Sequence, residues 1–500
     1  MRLLKLKIYQ DFRLVLEASR RLGTKHPLLK NGEAKKVRTI LGILTIFLTA
    51  LARGEMGSLP YEDGKALCNR ISQNRTSEVY NGFLPVPVDY KDPSQGMTEI
   101  YYSLSRKFDP TLPTVIFFSG GPGGASHWQG WKNWQQVNSL NINVVQFDQR
   151  GIACSRPTTE IMYKNPQFYS SENTARDANE IRKSLGANKI TAYGTSYGTV
   201  PATIYANLFE SSTQSLFLEG VEYSGMDFEY LSTQGRIRLI QKYFDSLPID
   251  IRNRLSRISK RKGMDSFLPV LIRMALIGEG EQGWELVRSR LLLSMNMNQP
   301  NDDLAFTDFI ISSNRTPLPQ SVDSDPVHLG TDDVVNGILF CKELGGSVKD
   351  SGQTLVLKDN KIELSRNEDG TPTNSYVSTI CPRFGLSNSG PSTFVASQYP
   401  TNVPVYYIQG TVDMATPPRG TMYHYKSVPK GSAYMLLFIN AGHVPSQFAL
   451  TAGSDEHSPL RPLTLATLNL FKKVFEAKPW TQLDVAGLNT SGLKTSFTSK

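Results

Sequence analysis

The stretch Lys189-Ile190-Thr191-Ala192-Tyr193-Gly194-Thr195-Ser196-Tyr197-Gly198-Thr199-Val200 decides how this 500-residue chain is read. Residues 189–193 have the short, buried pattern of a strand, and residues 199–209 that of a helix. Between them lies Gly194-x-Ser196-x-Gly198. Small residues on both flanks allow a tight strand-to-helix turn, with the serine backbone held in a strained conformation. Such a turn lifts the hydroxyl above the sheet. The helix N-terminus behind it favours negative charge at that point. G-x-S-x-G alone is a weak signal; its place between strand and helix makes it specific.

Outward from this turn the chain alternates. Residues 83–90 and 98–105 read as strands around a Pro93–Gly96 turn. Thr114–Phe118 (TVIFF) and Asn143–Phe147 (NVVQF) are continuously apolar, as strands covered on both faces are. A helix over 175–185 should stop at Gly186. Ser215–Leu218 is a further strand, and strands resume at 403–409 and 433–439. Residues 226–395 break the alternation, with amphipathic helices over 231–244, 264–277 and 284–293 among long polar loops. A last amphipathic helix covers about 460–476.

The expected fold is α/β, with a mostly parallel sheet and helices on both faces. The expected division is a leader over 1–52, a first core part over 53–225 and a helical cap insertion over 226–395. A second core part over 396–481 and a flexible tail over 482–500 follow.

A serine nucleophile needs a base, and the base an orienting acid. On a strand–turn–helix nucleophile the acid and then the histidine follow in the chain. His443 stands in Asn440-Ala441-Gly442-His443, directly after a strand. His424 falls in a helix after Pro418, and His457 in an acidic loop. Asp413 ends the strand that runs into Gly410-Thr411-Val412, 30 positions before His443. It could also cap the helix begun by Pro417-Pro418. Donors for an oxyanion should be the backbone N–H groups of Tyr197 and of Gly121, in the loop Ser119–Gly124. Gly278–Gly283 matches G-x-G-x-x-G but follows a helix and carries two glutamates, so it reads as an interhelical turn.

The net charge of +9 suggests an anionic partner until it is located. Residues 1–52 hold eleven Lys and Arg against three acidic residues, which is +8. The other 448 residues therefore carry 9 − 8 = +1, and a nucleic-acid partner loses its support. Thr39–Ala52 is an uncharged apolar run of 14 residues ending Ala-Leu-Ala. It reads as the core of a signal peptide cleaved after Ala52, with a membrane anchor through 39–52 as the alternative. The even set Cys68, Cys154, Cys341 and Cys381 suits disulfides in an exported chain and allows three connectivities. No CxxC pair or metal motif is present, and no metal or organic cofactor is expected.

Three segments together carry a resemblance: GGPGG (120–124), DQRG followed by Ser155 (148–155) and GTSYGT (194–199). With VPVDY (86–90), DANEIRKSLG (177–186) and DMATP (413–417), they resemble the proline iminopeptidase and tripeptidyl aminopeptidase family of α/β-hydrolases. The resemblance implies the α/β-hydrolase fold, a Ser196–Asp413–His443 triad and a secreted or periplasmic exopeptidase acting on peptide N-termini. Through Phe340-Cys341 and Cys381-Pro382 it also implies a Cys341–Cys381 disulfide, leaving Cys68–Cys154. Ser119 stands where the iminopeptidases usually have His, and Val444-Pro445 where Gly is common; both bear on substrate choice. An aminopeptidase must hold an ammonium group, for which Glu219 and Glu222 are the candidates. The same machinery could instead serve an esterase on small acyl substrates, and a non-catalytic binding protein is a more distant reading.

Overall fold

The computed structural model describes residues 80–126, 139–156, 168–222, 226–261, 264–296, 333–344, 354–370, 393–453, 457–489 and 493–500, with short pieces at 65–66, 68–69, 136–137, 381–383 and 455. The proposed leader and its cleavage point lie outside these residues. Among the described residues, no helix is long and apolar enough to cross a membrane.

Among the described residues nine strands form the central sheet, in the order β1 (Tyr80–Pro87), β2 (Met97–Leu104), β4 (Asn143–Phe147), β3 (Thr114–Phe118), β5 (Ile190–Thr195), β6 (Thr213–Glu219), β9 (Val405–Gly410), β10 (Ala433–Phe438) and β11 (Thr495–Ser499). The hairpin β1 (Tyr80–Pro87) and β2 (Met97–Leu104) is antiparallel, and β2 meets β4 antiparallel. The centre is parallel: β3 (Thr114–Phe118), β4 (Asn143–Phe147), β5 (Ile190–Thr195), β6 (Thr213–Glu219), β9 (Val405–Gly410) and β10 (Ala433–Phe438). Each central strand is apolar on both faces because both faces are covered. Ile116 and Phe118 of β3 join the core that holds Phe147 and Tyr205, while Val115 and Phe117 join the core that holds Phe217 and Phe471. The first face is covered by helices α1 (Ser171–Leu185) and α2 (Thr199–Leu208). α1 stops where the sequence says it should, at Gly186, whose left-handed φ of 72° lets the chain turn back.

Between β6 and β9 the chain leaves the sheet. It forms α3 (Met226–Asp245), α4 (Ile249–Ser259), α5 (Phe267–Glu279), α6 (Glu281–Asn296) and α7 (Asp333–Lys342). This region has its own core, built around Ile240, Phe244, Ile272 and Trp284. That core also takes in Val412 and Met414, which flank Asp413. A hairpin that was expected to be loop, β7 (Leu355–Lys358) and β8 (Lys361–Leu364), packs against it. Asp359 and Asn360 both have positive φ, 48° and 64°, as a two-residue hairpin turn requires.

After β9 come α8 (Pro418–Ser427), α9 (Pro445–Ala452) and α10 (Arg461–Phe475). The last segment corrects the reading of 482–500 as a flexible tail. Gln482–Asn489 is a helix, α11, whose Val485 and Leu488 are buried. Thr495–Ser499 is the edge strand β11, antiparallel to β10. Its short alternating Thr, Ser and Phe pattern is that of a half-exposed edge strand rather than of a linker.

The structure joins Cys68 to Cys154 and Cys341 to Cys381. Three of the segments that carried the resemblance meet at one buried ion pair. Arg150 donates to Asp177 through Nε (2.8 Å) and Nη2 (2.6 Å) and to the Val88 carbonyl through Nη1, while the Tyr90 hydroxyl donates to Asp177 at 2.8 Å. A buried pair needs such extra bonds to offset its desolvation. Ser155 is also structural: its hydroxyl accepts from Tyr101 N–H and donates to the Asp148 carbonyl.

Candidate active site

Ser196 sits directly after β5 with a φ of 54°, in the left-handed region that a serine rarely occupies. Its flanking glycines are required by contact. A Cβ on Gly194 would lie 2.4 Å from the Gly198 carbonyl oxygen, and one on Gly198 would lie 2.0 Å from the Phe118 carbonyl oxygen. The sharp turn is thus wedged against the end of β3. Thr199 Oγ1 closes it by donating to the Ser196 carbonyl at 2.6 Å. The Ser196 side chain remains half-buried at the surface of the turn.

His443 and Asp413 meet at the ends of the next strands. His443 Nδ1 and Asp413 Oδ2 are 2.8 Å apart. The carboxylate also accepts from the N–H groups of Ala415 and Thr416, from Gln409 Nε2 and from Thr416 Oγ1. Burial alone would raise the Asp413 pKa, but the adjacent His443 and these hydrogen bonds outweigh it and hold the carboxyl below the usual range. Burial alone would lower the His443 pKa; Asp413, and Glu219 behind it, turn the balance and raise it. Both directions are those of one ion pair.

Strand register brings the serine to this pair. Thr195 is level with Glu219, and Glu219 with Ile408. Ser196 and Gly220 are therefore the next residues out on adjacent strands. A Cβ on Gly220 would lie 2.6 Å from His443 Cε1, so the imidazole rests on the bare Cα beside Ser196. Across the turn a Cβ on Gly120 would lie 3.0 Å from Ser196 Cβ, which places the glycine loop against the serine from the other side. Gly121 follows with a φ of 129°, and among the described residues its N–H has no acceptor. Gln149 Nε2 pins the start of this loop by donating to the Ser119 carbonyl at 2.9 Å.

The proposed amine ligands fare differently. Glu219 is fully buried, which removes it from any substrate. It accepts from the Tyr193 hydroxyl (2.8 Å) and from the N–H and hydroxyl of Ser446 (2.7 Å each). It braces the corner Val444–Ser446 that follows His443. Glu222 is half-buried, with its N–H on Thr199 Oγ1, close to the serine turn.

Two supports escaped the sequence reading. The turn Gly278–Gly283 between α5 and α6 docks onto the histidine loop. His443 N–H donates to the Ile277 carbonyl at 2.8 Å, and Glu281 N–H to the Asn440 carbonyl at 2.8 Å. The other is Glu343, just beyond α7, which is buried and binds Ser171 N–H at 3.0 Å and the Ser171 hydroxyl. Ser171 in turn is 2.8 Å from the hydroxyl of Tyr197, the residue after Ser196. A chain of polar contacts thus runs from the insertion to the proposed oxyanion donor. Both supports connect residues far apart in sequence, and no local motif marks them.

The other late histidines stand apart. His424 is buried between Thr203 Oγ1 (3.1 Å) and the Tyr407 hydroxyl (2.9 Å), and burial pushes its pKa down to about 3. His457 is exposed. Among the described residues no group of three or more His, Cys, Asp or Glu side chains converges as a metal site.

A family model described as alpha/beta hydrolase fold matches residues 113–257. A hydrolase named YuaR from Escherichia coli K12 is 26% identical over 187 residues, 30% of this chain and 37% of that protein. Serine protease Hip1 from Mycobacterium tuberculosis is 25% identical over 182 residues, 28% of this chain and 35% of that protein. A proline iminopeptidase from Neisseria meningitidis is 30% identical over 125 residues, 25% of this chain and 36% of that protein. The matches thus span little more than a third of each relative. The sheet order, the strained serine between β5 and α2 and the matched region agree: the chain has the α/β-hydrolase fold.

Proposed function

We propose that this protein is an exported serine hydrolase that releases single residues, proline or short peptides from peptide N-termini. The observation that carries the reading is the Asp413–His443 pair at 2.8 Å, resting on Gly220 beside the strained Ser196. His443 Nε2 takes the proton of the Ser196 hydroxyl as its oxygen attacks the scissile carbonyl. Asp413 holds Nδ1 protonated and stabilises the imidazolium. The N–H groups of Gly121 and Tyr197 receive the oxyanion. His443 returns the proton to the leaving amine, and water, activated the same way, frees the acyl group and restores Ser196.

The insertion, tied to the His443 loop, would restrict entry to chain ends. Glu222 is the remaining candidate for the substrate ammonium, since Glu219 is committed to Ser446 and Tyr193. The two disulfides and the basic, then apolar, N-terminal segment support export. Relatives named serine protease and proline iminopeptidase favour a peptidase over an esterase.

A panel of chromogenic amides tests the reading: Pro-, Ala- and tripeptide-linked substrates, the same peptides N-acetylated, and short acyl esters. Turnover of free-amine amides, lost on acetylation and in Ser196→Ala, supports it. Turnover of esters alone assigns the site to small acyl substrates.

A further inference from the structure

A cavity of about 400 Å3 opens between α3 of the insertion and the loop that carries Asp413. Its lining includes Thr411 and Asp413 but neither Ser196 nor His443, so it is not the space in front of the nucleophile. Two kinds of side chain line it. Leu239, Met414, Pro417 and Pro418 supply apolar surface, and Arg236, Arg238, Lys242 and Arg419 supply four cations.

Among the described residues these cations have no salt-bridge partner. Arg236 is fixed in place by donating to the carbonyls of Met414 (3.0 Å) and Ala415 (2.9 Å). Arg238 and Lys242 stand one helical turn apart on α3 and are exposed. Neither they nor Arg419 takes part in a salt bridge among the described residues. Asp413, the sole acidic side chain among the described lining residues, already accepts from Ala415, Thr416, Gln409 and His443. Like charges gathered around one cavity repel, and a bound anion would relieve that repulsion. An ion with no body would leave the apolar walls wet. A carboxylate on an aliphatic or aromatic body satisfies both surfaces, in a volume at the lower end of that of small-molecule sites.

We propose that this pocket binds a small organic carboxylate with an apolar body, bridging α3 and the loop of the triad acid. Arg238, Lys242 and Arg419 take the carboxylate, and Leu239, Met414 and the two prolines take the body. Free organic acids and the C-terminal carboxylate of an apolar-ended peptide both offer this chemistry. The proposal does not depend on the peptidase reading, because its readouts are binding and thermal stability.

The test is titration of the full chain with octanoate, followed by calorimetry and thermal unfolding. Octylamine and inorganic phosphate serve as the body without the anion and the anion without the body. Octanoate should bind and raise Tm, with octylamine and phosphate at least about tenfold weaker. The double variant Arg238→Glu/Lys242→Glu should weaken octanoate by about tenfold or more, since two rim charges are reversed. It should keep its hydrolytic rate within about twofold, because neither residue touches the catalytic groups. Competition by an N-acetylated tripeptide ending in Leu would assign the site to peptide ends; lack of competition would assign it to free acids. Octanoate binding unchanged in the double variant, binding matched by octylamine or phosphate, or no binding at all would overturn the proposal.

Discussion

Glu219 holds Ser446 by two hydrogen bonds of 2.7 Å across 227 residues of sequence. Ser446 lies three residues after His443, at the start of α9. The bond therefore ties the end of β6 to the corner from which the imidazole projects. In the proposed mechanism Glu219 is a positioning residue, acting on the reaction only through His443.

Glu219→Gln should lower kcat by roughly tenfold and stability by about 3 kcal/mol, because the amide turns one acceptor into a donor facing buried donors. KM should change little, and equally for free-amine amides and simple esters. A KM increase confined to free-amine substrates would restore the amine-binding role that burial argues against. Steady-state kinetics on both substrate types decides.

The insertion is coupled to the histidine through Gly280. Its φ is 63°, and a Cβ there would lie 2.3 Å from the Asn440 carbonyl oxygen and 2.6 Å from Gly442 N. Gly280→Ala should cost about 1–3 kcal/mol and lower kcat by displacing the loop before His443. Gly278→Ala is the control, since a Cβ there meets nothing within 4 Å. Equal, full activity in both variants would show that the turn does not hold the loop.

The Asp413–His443 pair sets the pH dependence. The raised His443 pKa predicts a kcat/KM profile whose ascending limb lies above the ordinary histidine value of 6.5, because the base works only when neutral. Asp413→Asn should move that limb to lower pH and reduce kcat by about 10³–10⁴. A limb that stays in place would mean that Asp413 is not what raises His443.

His424 predicts an acid weakness unrelated to catalysis. Its pKa is about 3 in the folded state against 6.5 for the free group, so the unfolded chain binds the extra proton between those values. This contribution to stability is whole above pH 6.5 and is lost progressively as pH falls towards 3. Urea unfolding at pH 7 and pH 4.5 should show a smaller loss for His424→Gln than for the unaltered chain. An identical loss would place the acid sensitivity elsewhere.

What was legible in the sequence was local. The serine turn could be read because its geometry forces glycine at 194 and 198, and the central strands because burial on both faces forces runs such as TVIFF. Asp413 and His443 could be ordered because each follows a strand. Burial within the fold was not legible: Glu219 ends its strand where a ligand could stand, but it is buried against Ser446. Glu343 and the Ile277 carbonyl act across the insertion, where no spacing rule links partners. The hairpin over 355–364 carries a readable turn, Asp359-Asn360, between the short strands LVLK and KIEL. The edge strand 495–499 was hidden by a composition shared with linkers, and only its pairing with β10 tells them apart.

The central claim is that Ser196 is the nucleophile. The most direct measurement is intact-mass and peptide mapping after reaction of the folded protein with a fluorophosphonate. The account predicts one adduct per chain, on Ser196, formed in step with loss of amide hydrolysis and absent from Ser196→Ala. Adduct on another residue, or full hydrolysis by Ser196→Ala, would contradict it.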